Sequence, residues 1–403
     1  VFEIYIYTYI LKFETSVKLK LFLLPLLSLT FSSSVFFPSL LFPAKHNLAQ
    51  GQWYECRNAL LSIKTPSFLS YLFSLNLSRP PVSVFRLIKG PFTRGRLQWS
   101  ELQKVKEAKI GGYRPMNPCP LYDKTSKTLF LFFICVEGEV SEQWQIKNNT
   151  NKARLCYITS KDLGQTWTEL IDLTNCPGHG LQTEQGRLIV PLYAYTSGMS
   201  CCCRCCRCFK CCCCCCRGCV SSHALSLYSD DSGKNWQFGQ LFQAESNECQ
   251  MAEFFDESGN SIIYCNARTE GGFREEHVSE SNGHEFCNGV QKLMETGFGC
   301  QGSLVSFPSQ NEDVANDESQ KKNKWLLFTH PSHQCRRVSL GVYLNKTPRD
   351  PNSWSKPWII SSGPSGYSDL AYIGEGWFAC LLESGEKKET EQIASVVFSY
   401  NEL

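Results

Sequence analysis

An octapeptide that occurs twice decides the fold: Ser160-Lys161-Asp162-Leu163-Gly164-Gln165-Thr166-Trp167 has the form S-x-D-x-G-x-T-W. Ser229-Asp230-Asp231-Ser232-Gly233-Lys234-Asn235-Trp236 repeats it with asparagine in place of threonine. A degraded third copy is Ser279-Glu280-Ser281-Asn282-Gly283-His284-Glu285-Phe286. The second and third copies start at residues 229 and 279, which is about the length of one four-stranded sheet in a repeat protein.

The residue types of this octapeptide suit a turn between two β-strands. An aspartate side chain can accept hydrogen bonds from the N–H groups of the turn, and the glycine can adopt the positive φ that the turn needs. The tryptophan is expected to pack beneath the turn, between neighbouring sheets. This is the Asp-box pattern, which belongs to the scaffold and lies away from any chemistry. Two good copies and a relic predict a β-propeller.

The chain between the repeats predicts strands throughout. After residue 100, apolar runs of four to nine residues alternate with turn residues, and no long 3.6-residue period is present. The predicted strands include Thr128–Val136, Leu188–Tyr195, Ile262–Cys265, Ser303–Phe307, Trp325–Phe328 and Trp377–Leu382. Many short strands at regular spacing indicate an all-β sandwich, barrel or propeller, and the repeat favours the propeller.

Composition excludes some classes of function. The chain has 403 residues, an aromatic fraction of 13% and a charged fraction of 19%, which suits a β-rich globular protein. Its net charge of +2 indicates no polyanionic partner, so we expect no binding to nucleic acid.

The cysteines fall into two groups. Of the 24, 13 lie in the tract 201–219, a low-complexity insertion whose spacing is irregular. Its thiolates could bind soft metals or carry acyl chains, but a translated nucleotide repeat is the interpretation that we favour. The other cysteines are scattered, some within apolar strands, which predicts buried free thiols in a reducing compartment.

The N-terminal segment, residues 1–81, matches no pattern that the rest of the chain shows. Leu21 to Phe42 is mostly apolar and long enough for a signal sequence or a membrane anchor, but Pro25 and Pro38 interrupt it. Translated non-coding sequence is the competing interpretation. We place the predicted propeller domain at residues 82–403.

Several longer segments resemble one enzyme family in their order along the chain. They are Tyr113–Asp123, 178–180 (Gly-His-Gly), 190–195 (Val-Pro-Leu-Tyr-Ala-Tyr), 247–250 (Asn-Glu-Cys-Gln), 266–268 (Asn-Ala-Arg), 299–307 (Gly-Cys-Gln-Gly-Ser-Leu-Val-Ser-Phe) and 366–370 (Gly-Tyr-Ser-Asp-Leu). With their flanking strands they cover about 320 residues and resemble the vertebrate exo-α-sialidases, most closely the plasma-membrane ganglioside sialidase. The resemblance implies a six-bladed propeller with the active site at one end of its axis.

The resemblance also implies a site for the carboxylate of sialic acid. The family binds this carboxylate with three arginines, whose planar cationic forks suit it. By motif, Arg268 matches the second of these arginines and Arg337 the third.

A tyrosine nucleophile follows from the same resemblance and from electrostatics. Sialidases are an exception among retaining glycosidases, most of which attack with a carboxylate. Because the attacked carbon bears a carboxylate, an anionic nucleophile would be repelled, whereas a neutral tyrosine hydroxyl is not. Such a tyrosine needs a nearby base to take its proton. Tyr367 matches the family nucleophile and Glu248 matches its base.

Four further residues are candidates for substrate contact or support. Tyr193 and Tyr195 lie two apart on a predicted strand, so their side chains point to one face, and they match family residues that contact the glycerol and N-acyl arms. Glu142 matches a family residue near the substrate, and Glu391 is a candidate to support one of the arginines.

Two family motifs are missing. The family opens with a strand carrying the first arginine, followed by a loop whose aspartate is the acid/base, and no aspartate occurs here before Asp123. Arg86 lacks the expected proline context, so we assign it to a later strand of an incomplete first blade and not to the site. We therefore expect weak or no turnover, with a non-catalytic sialoside-binding propeller as the alternative.

The partners that the resemblance implies are sialylated glycolipids and glycoproteins, with a membrane surface nearby. The mechanism implies no metal and no cofactor. The expected location is the plasma membrane, with cytoplasmic or endolysosomal pools.

Overall fold

A computed structural model of the chain describes residues 103–173, 180–198, 219–289, 291–310 and 323–403, together with the backbone of four strands between residues 58 and 97. Two of those strands, at 58–62 and 68–77, fall in the segment 1–81. The remainder of that segment lies outside the described residues. So does the Cys-rich insertion 201–219, except for the backbone of Cys219, and the interpretations of both segments stay predictions.

The all-β prediction is confirmed, because the described residues are mainly antiparallel strands in five sheets. The first sheet has the order β1-β2-β3-β4, with β5 also paired to β3. Its strands are β1 (Asn58–Ser62), β2 (Phe68–Leu77), β3 (Val82–Thr93), β4 (Arg96–Leu97) and β5 (Gln103–Val105). Strand pairing thus extends upstream of residue 82, and Arg86 lies on the third strand of this sheet.

The second and third sheets each have four strands in sequential order. The second contains β6 (Tyr113–Asp123), β7 (Thr128–Glu137), β8 (Ala153–Ser160) and β9 (Ile171–Asp172). A short helix, α1 (Glu142–Asn148), connects β7 to β8 and begins at the cap Ser141, whose hydroxyl accepts the N–H of Trp144. The third sheet contains β10 (Leu181–Gln182), β11 (Leu188–Gly198), β12 (Cys219–Ser229) and β13 (Gln237–Phe238).

The fourth sheet again has four sequential strands, and the last has six. The fourth contains β14 (Cys249–Phe255), β15 (Ser261–Ala267), β16 (Glu275–Ser279) and β17 (Cys287–Asn288). The last contains β18 (Ser303–Pro308), β19 (Lys324–Pro331), β20 (Val338–Asn345), β21 (Trp358–Gly374), β22 (Trp377–Ser384) and β23 (Gln392–Ser399). Two 3-10 turns, Pro351–Ser353 and Tyr400–Glu402, accompany it. No helix in the described part of the chain is long and apolar enough to cross a membrane.

The six strands named from the sequence all form, each one to four residues longer than the apolar run that predicted it. For example, the run Thr128–Val136 becomes β7, and its residues up to Val136 are buried on both faces of the sheet. A strand covered on both sides shows a continuous apolar run instead of alternation, which is the pattern that the sequence has there.

The repeated octapeptides form the turns predicted for them. In the first, Asp162 Oδ1 accepts the N–H of Thr166 at 2.8 Å, and Gly164 has a φ of +80°. The second copy repeats this geometry, with the Asn235 N–H donating to Asp231 Oδ1 at 2.9 Å. Trp236 reaches across to the second sheet, where its ring centroid lies 5.1 Å from that of Phe132.

Hydrophobic clusters fill the spaces between consecutive sheets, which is the packing of a propeller. One cluster joins the second and third sheets, one the third and fourth, and one the fourth and last. The largest side chains in these layers are fully buried, among them Phe132, Phe254 and Phe328. Burying each large apolar side chain contributes roughly 1.5–3 kcal/mol, so these clusters make the largest contribution to holding the sheets side by side.

The prediction of buried free thiols is confirmed for the cysteines whose side chains are described. None of these nine forms a disulfide bond, and seven of them are buried. Burial raises the pKa of Cys300 to about 12 and keeps this thiol protonated.

Candidate active site

Tyr367 lies on β21 at the point where this strand changes partners. Residues up to Pro364 pair with β20, and residues from Ser365 onward pair with β22. Its backbone N–H donates to Glu383 Oε2 at 3.0 Å. A Cβ atom on residue 366 would lie 2.4 Å from the same carboxylate oxygen, so a larger residue than Gly366 would displace the Glu383 carboxylate. The backbone of Tyr367 is therefore held in place by the buried carboxylate of Glu383.

Glu248 lies immediately before β14, on the neighbouring sheet, and is 8% exposed. The hydroxyl of Tyr367 donates to Glu248 Oε1 at 2.9 Å. Asn247 fixes this segment, since its Oδ1 accepts the Glu248 N–H at 2.8 Å. The structure thus brings together the predicted nucleophile and the predicted base in hydrogen-bond contact.

Arg268 follows β15 and bridges the same two residues. Its Nη1 donates to the Tyr367 hydroxyl at 2.9 Å and to Glu248 Oε2 at 3.0 Å, while its Nη2 donates to the carbonyl of Phe298 at 3.0 Å. Burial would lower the pKa of Arg268, but the neighbouring Tyr367 and Glu248 raise it above its usual range. The guanidinium therefore stays charged at this site.

Arg337 lies near the aromatic ring of Tyr367. Its guanidinium carbon lies 5.2 Å from the centroid of the Tyr367 ring, and its Nη2 donates to the carbonyl of Gly299 at 2.9 Å. Burial acts to lower the pKa of Arg337, yet Cys300 and Tyr367 raise it above its usual range. Two charged guanidinium groups thus flank one tyrosine, which creates a site for an anion.

Tyr193 and Tyr195 lie on β11 and face the same side, as the strand period predicts. Their ring centroids are 6.0 Å apart in an edge-to-face arrangement. The Tyr195 hydroxyl donates to Glu142 Oε1 at 3.0 Å, and Asn247 Nδ2 donates to the same hydroxyl at 3.4 Å. Burial first, and Glu142 second, raise the pKa of Tyr195. Asn247 therefore links the tyrosine pair to Glu248.

This chain is similar to known proteins in sequence and in fold. A family model described as a BNR repeat-like domain matches residues 79–380. Sialidase-3 of Rattus norvegicus is 37% identical, with 86% of this chain and 91% of that protein covered. Sialidase-2 of Cricetulus griseus is also 37% identical, over 73% of this chain and 78% of that protein. The chain belongs to the sialidase family.

Solved structures of sialidases share the fold of this sialidase chain at low sequence identity. A Hadza microbial sialidase superposes with a TM-score of 0.65 at 17% identity, covering 86% of this chain and 66% of that one. The intramolecular trans-sialidase of Ruminococcus gnavus has a TM-score of 0.62 at 16% identity, over 86% of this chain and 94% of that one. Their likeness supports the propeller-like arrangement of the sheets.

The candidate support residue Glu391 does not lie beside either arginine of this sialidase. Its carboxylate accepts backbone N–H groups of the loop 386–388, at 2.7 Å for Glu386. Within the described chain, the carboxylate in ion-pair range of Arg337 is that of Glu389, at 3.9 Å. Glu391 therefore stabilises the loop next to it, because the N–H groups of three consecutive residues donate to its carboxylate.

Sequence reasoning missed Glu383, which the structure places directly behind the candidate nucleophile. Glu383 ends the apolar run of β22 and is 2% exposed. A buried carboxylate at the end of an apolar strand is costly unless it is hydrogen-bonded, and this is the signal that could have singled it out. Asn247 was also missed, although it lies inside the motif that identified Glu248.

Proposed function

We propose that this protein is an exo-α-sialidase that removes terminal sialic acid with retention, using Tyr367 as nucleophile and Glu248 as its base. The observation that carries the proposal is the 2.9 Å hydrogen bond from the Tyr367 hydroxyl to Glu248 Oε1. This geometry lets the carboxylate take the phenolic proton as the oxygen attacks the anomeric carbon.

Charge complementarity supports sialic acid as the sugar. The anomeric carbon of sialic acid bears a carboxylate, and Arg268 and Arg337 provide two guanidinium groups around Tyr367. A neutral phenol between two cations can approach an anionic substrate, whereas a carboxylate nucleophile would be repelled. Tyr193 and Tyr195 lie together on β11, where they would contact the glycerol and N-acyl arms, and Glu142, which accepts from Tyr195, would lie near the substrate.

Two parts of the family's site, the acid/base and the first arginine, have no assigned residue in this chain. Arg86 lies near the start of the matched region. It is on the third strand of its sheet, whereas the family's first arginine is expected on the opening strand. No aspartate precedes Asp123 in the sequence. Because a general acid contributes roughly 10²–10⁴-fold in rate, the 403-residue chain should turn over slowly.

Release of methylumbelliferone from its sialoside tests this proposal. Slow but measurable release, abolished by Tyr367→Phe, is the expected result. Efficient release would refute the expectation of weak activity. A chain that neither releases the fluorophore nor binds the unsaturated analogue of sialic acid would refute the function itself.

A sialoside-binding propeller without turnover is the second candidate. The observation that favours it is the lack of an aspartate before Asp123, while the tyrosine, its glutamate and two arginines remain. Calorimetric titration with the unsaturated analogue, alongside the activity assay, separates the two functions. Binding without any turnover favours this second candidate.

A six-bladed architecture is part of the proposal. The six-stranded sheet divides at β21, whose first half pairs with β20 and whose second half pairs with β22. Counting this sheet as two blades, and each of the other four sheets as one, gives six. The strand β1 also lies beside β21, which would close the ring.

The proposed substrates are gangliosides and other sialylated glycolipids and glycoproteins, met at the surface of the plasma membrane. The support for this is the family membership of the chain and its similarity to proteins named Sialidase-3. Comparing release of sialic acid from ganglioside-containing vesicles and from a sialylated soluble glycoprotein tests it. Release from neither substrate, by a chain that does cleave the methylumbelliferyl sialoside, would contradict this assignment of substrates.

A further inference from the structure

One tight turn touches both candidate carboxylate-binding arginines. The turn spans residues 296–300, between β17 and β18, and is closed by the Gly299 N–H donating to the Thr296 carbonyl at 2.7 Å. At its tip, the consecutive carbonyls of Phe298 and Gly299 accept from Arg268 Nη2 and Arg337 Nη2 at 3.0 and 2.9 Å. The orientation of both guanidinium groups therefore depends on this turn.

Glu295 holds both ends of the turn with one oxygen atom. Its Oε1 accepts the N–H of Thr296 at 2.9 Å and the N–H of Cys300 at 3.1 Å. Its other oxygen, Oε2, accepts the N–H of Thr269, the residue next to Arg268, at 3.3 Å. One buried carboxylate thus connects the turn to the segment that carries Arg268.

Arg274 holds this carboxylate in place. It is fully buried, and its Nη1 donates to Glu295 Oε2 and to the carbonyl of Cys300, both at 2.7 Å. Its Nε donates to Asn266, two residues before Arg268. His330 Nε2 lies 2.7 Å from Glu295 Oε1. Burial would raise the pKa of Glu295, but Arg274 and His330 lower it to about 2, so the carboxylate is charged.

The glycine at the tip of the turn is required for its closeness to Arg268. Gly299 has a φ of +84°, and a Cβ atom there would lie 2.1 Å from the Thr269 carbonyl oxygen and 2.7 Å from Arg268 Nε. A side chain at this position would push the turn away from the arginine without touching the buried Glu295.

We propose that Glu295 is a positioning residue for substrate binding: it fixes the 296–300 turn so that the Phe298 and Gly299 carbonyls aim Arg268 and Arg337 at the sialic acid carboxylate. This inference rests on the proposed function. Each arginine has one outer nitrogen tied to the turn, so the turn fixes the orientation in which its guanidinium meets the anion. A pre-aimed fork loses less freedom on binding, so the turn raises affinity.

The test measures binding of the unsaturated sialic acid analogue by calorimetry in the full chain and in Glu295→Gln. A single amide oxygen cannot accept both from the turn N–H groups and from Arg274, so one side loses its acceptor. We expect Kd to rise roughly tenfold to hundredfold, as for other supporting residues around a ligand group, while the number of sites per folded molecule stays the same.

The matched control is Glu253→Gln. Glu253 is another buried glutamate in an ion pair, with Lys324 Nζ at 2.9 Å, but it lies at the opposite end of β14 from Glu248. We expect this variant to keep the parent Kd even where it unfolds at a lower temperature. A purely structural role for Glu295 would lower the number of sites and leave Kd unchanged, which would overturn the proposal.

Gly299→Ala keeps the proposal testable if Glu295→Gln does not fold. This variant moves the turn while the buried network remains, so its Kd should also rise roughly tenfold or more. An unchanged Kd in Gly299→Ala would overturn the proposal as well. A parent chain that does not bind the analogue would instead refute the proposed function, and the two failures are thereby distinguished.

Discussion

The hydroxyl of Tyr367 donates a 2.9 Å hydrogen bond to a carboxylate oxygen of Glu248, which lies 119 residues earlier in the chain. The two residues come from different sheets, Glu248 from the start of β14 and Tyr367 from the middle of β21. Arg268 donates to both. The contact between the proposed nucleophile and its proposed base therefore exists only when the sheets are assembled side by side.

Replacing Tyr367 by phenylalanine should prevent formation of a covalent glycosyl-enzyme. The probe is 2,3-difluorosialic acid, whose electron-withdrawing fluorine slows hydrolysis of a covalent glycosyl-enzyme so that the adduct accumulates. We expect mass spectrometry to detect the adduct on Tyr367 of the parent chain and none in Tyr367→Phe. Tyr372→Phe, a change on the same strand within the apolar cluster, is the control and should still be labelled. Labelling of Tyr367→Phe would exclude Tyr367 as the nucleophile.

The scaffold was predictable from the sequence because its signals are local. Each strand appears as an apolar run, and each Asp-box turn needs only an aspartate and a glycine at fixed spacing. Asp162 and Gly164, for instance, lie in the same octapeptide and shape the same turn. Nothing beyond the segment itself is needed to recognise such a turn.

The connections within the site were less predictable, because they depend on strand register. Glu383 and Glu391 lie eight residues apart near the end of the chain, and the sequence alone singles out Glu391 as a candidate support and passes over Glu383. The register Ser365↔Ser384 between β21 and β22 brings Glu383 behind Tyr367. No sequence pattern indicates that the carbonyls of Phe298 and Gly299 accept from the two arginines, since any residue type supplies a backbone acceptor.

Replacing Arg337 by lysine should weaken binding of the sialic acid analogue. An ammonium group cannot contact the Gly299 carbonyl and a carboxylate with the planar fork of a guanidinium. We expect a loss of roughly 2 kcal/mol, or about thirtyfold in Kd, measured by calorimetry. Arg154→Lys, at the exposed ion pair with Asp172, is the control and should not change Kd. An equal Kd in Arg337→Lys and the parent would remove Arg337 from the site.

Tyr195 and Glu142 should act on substrate affinity as one unit. The Tyr195 hydroxyl donates to Glu142 Oε1 at 3.0 Å, so either Tyr195→Phe or Glu142→Gln disturbs the same hydrogen bond. We expect each change to raise Kd for the analogue by roughly threefold to tenfold, and the double variant to show a coupling of about 1 kcal/mol. Strictly additive effects on Kd would show that the two side chains contact the ligand independently.

If the chain lacks the family's acid/base, as the absence of an aspartate before Asp123 leads us to expect, turnover should be sensitive to the leaving group. An aryl alcohol is a better leaving group and depends less on protonation by a general acid than the hydroxyl of lactose or of a ganglioside sugar does. We expect kcat/KM for the methylumbelliferyl sialoside to exceed that for sialyllactose by roughly 10²-fold or more. Rat Sialidase-3, assayed in parallel, serves as the comparison. Similar rates on both substrates would indicate a general acid elsewhere in the chain.

The stability supplied by Glu295 should depend on pH in a defined direction. Its pKa is lowered from 4.5 to about 2 in the folded chain, chiefly because Arg274 and His330 outweigh the effect of burial. A carboxyl group with a depressed folded pKa stabilises the fold above its unfolded pKa and loses that contribution as the pH falls toward the folded value. The parent should therefore exceed Glu295→Gln in free energy of unfolding by roughly 3 kcal/mol at about pH 7, and this difference should shrink steadily below about pH 4.5. Urea unfolding of both proteins across this range measures the difference, and a gap that stays constant with pH would show that the Glu295 carboxylate gains nothing from Arg274 and His330.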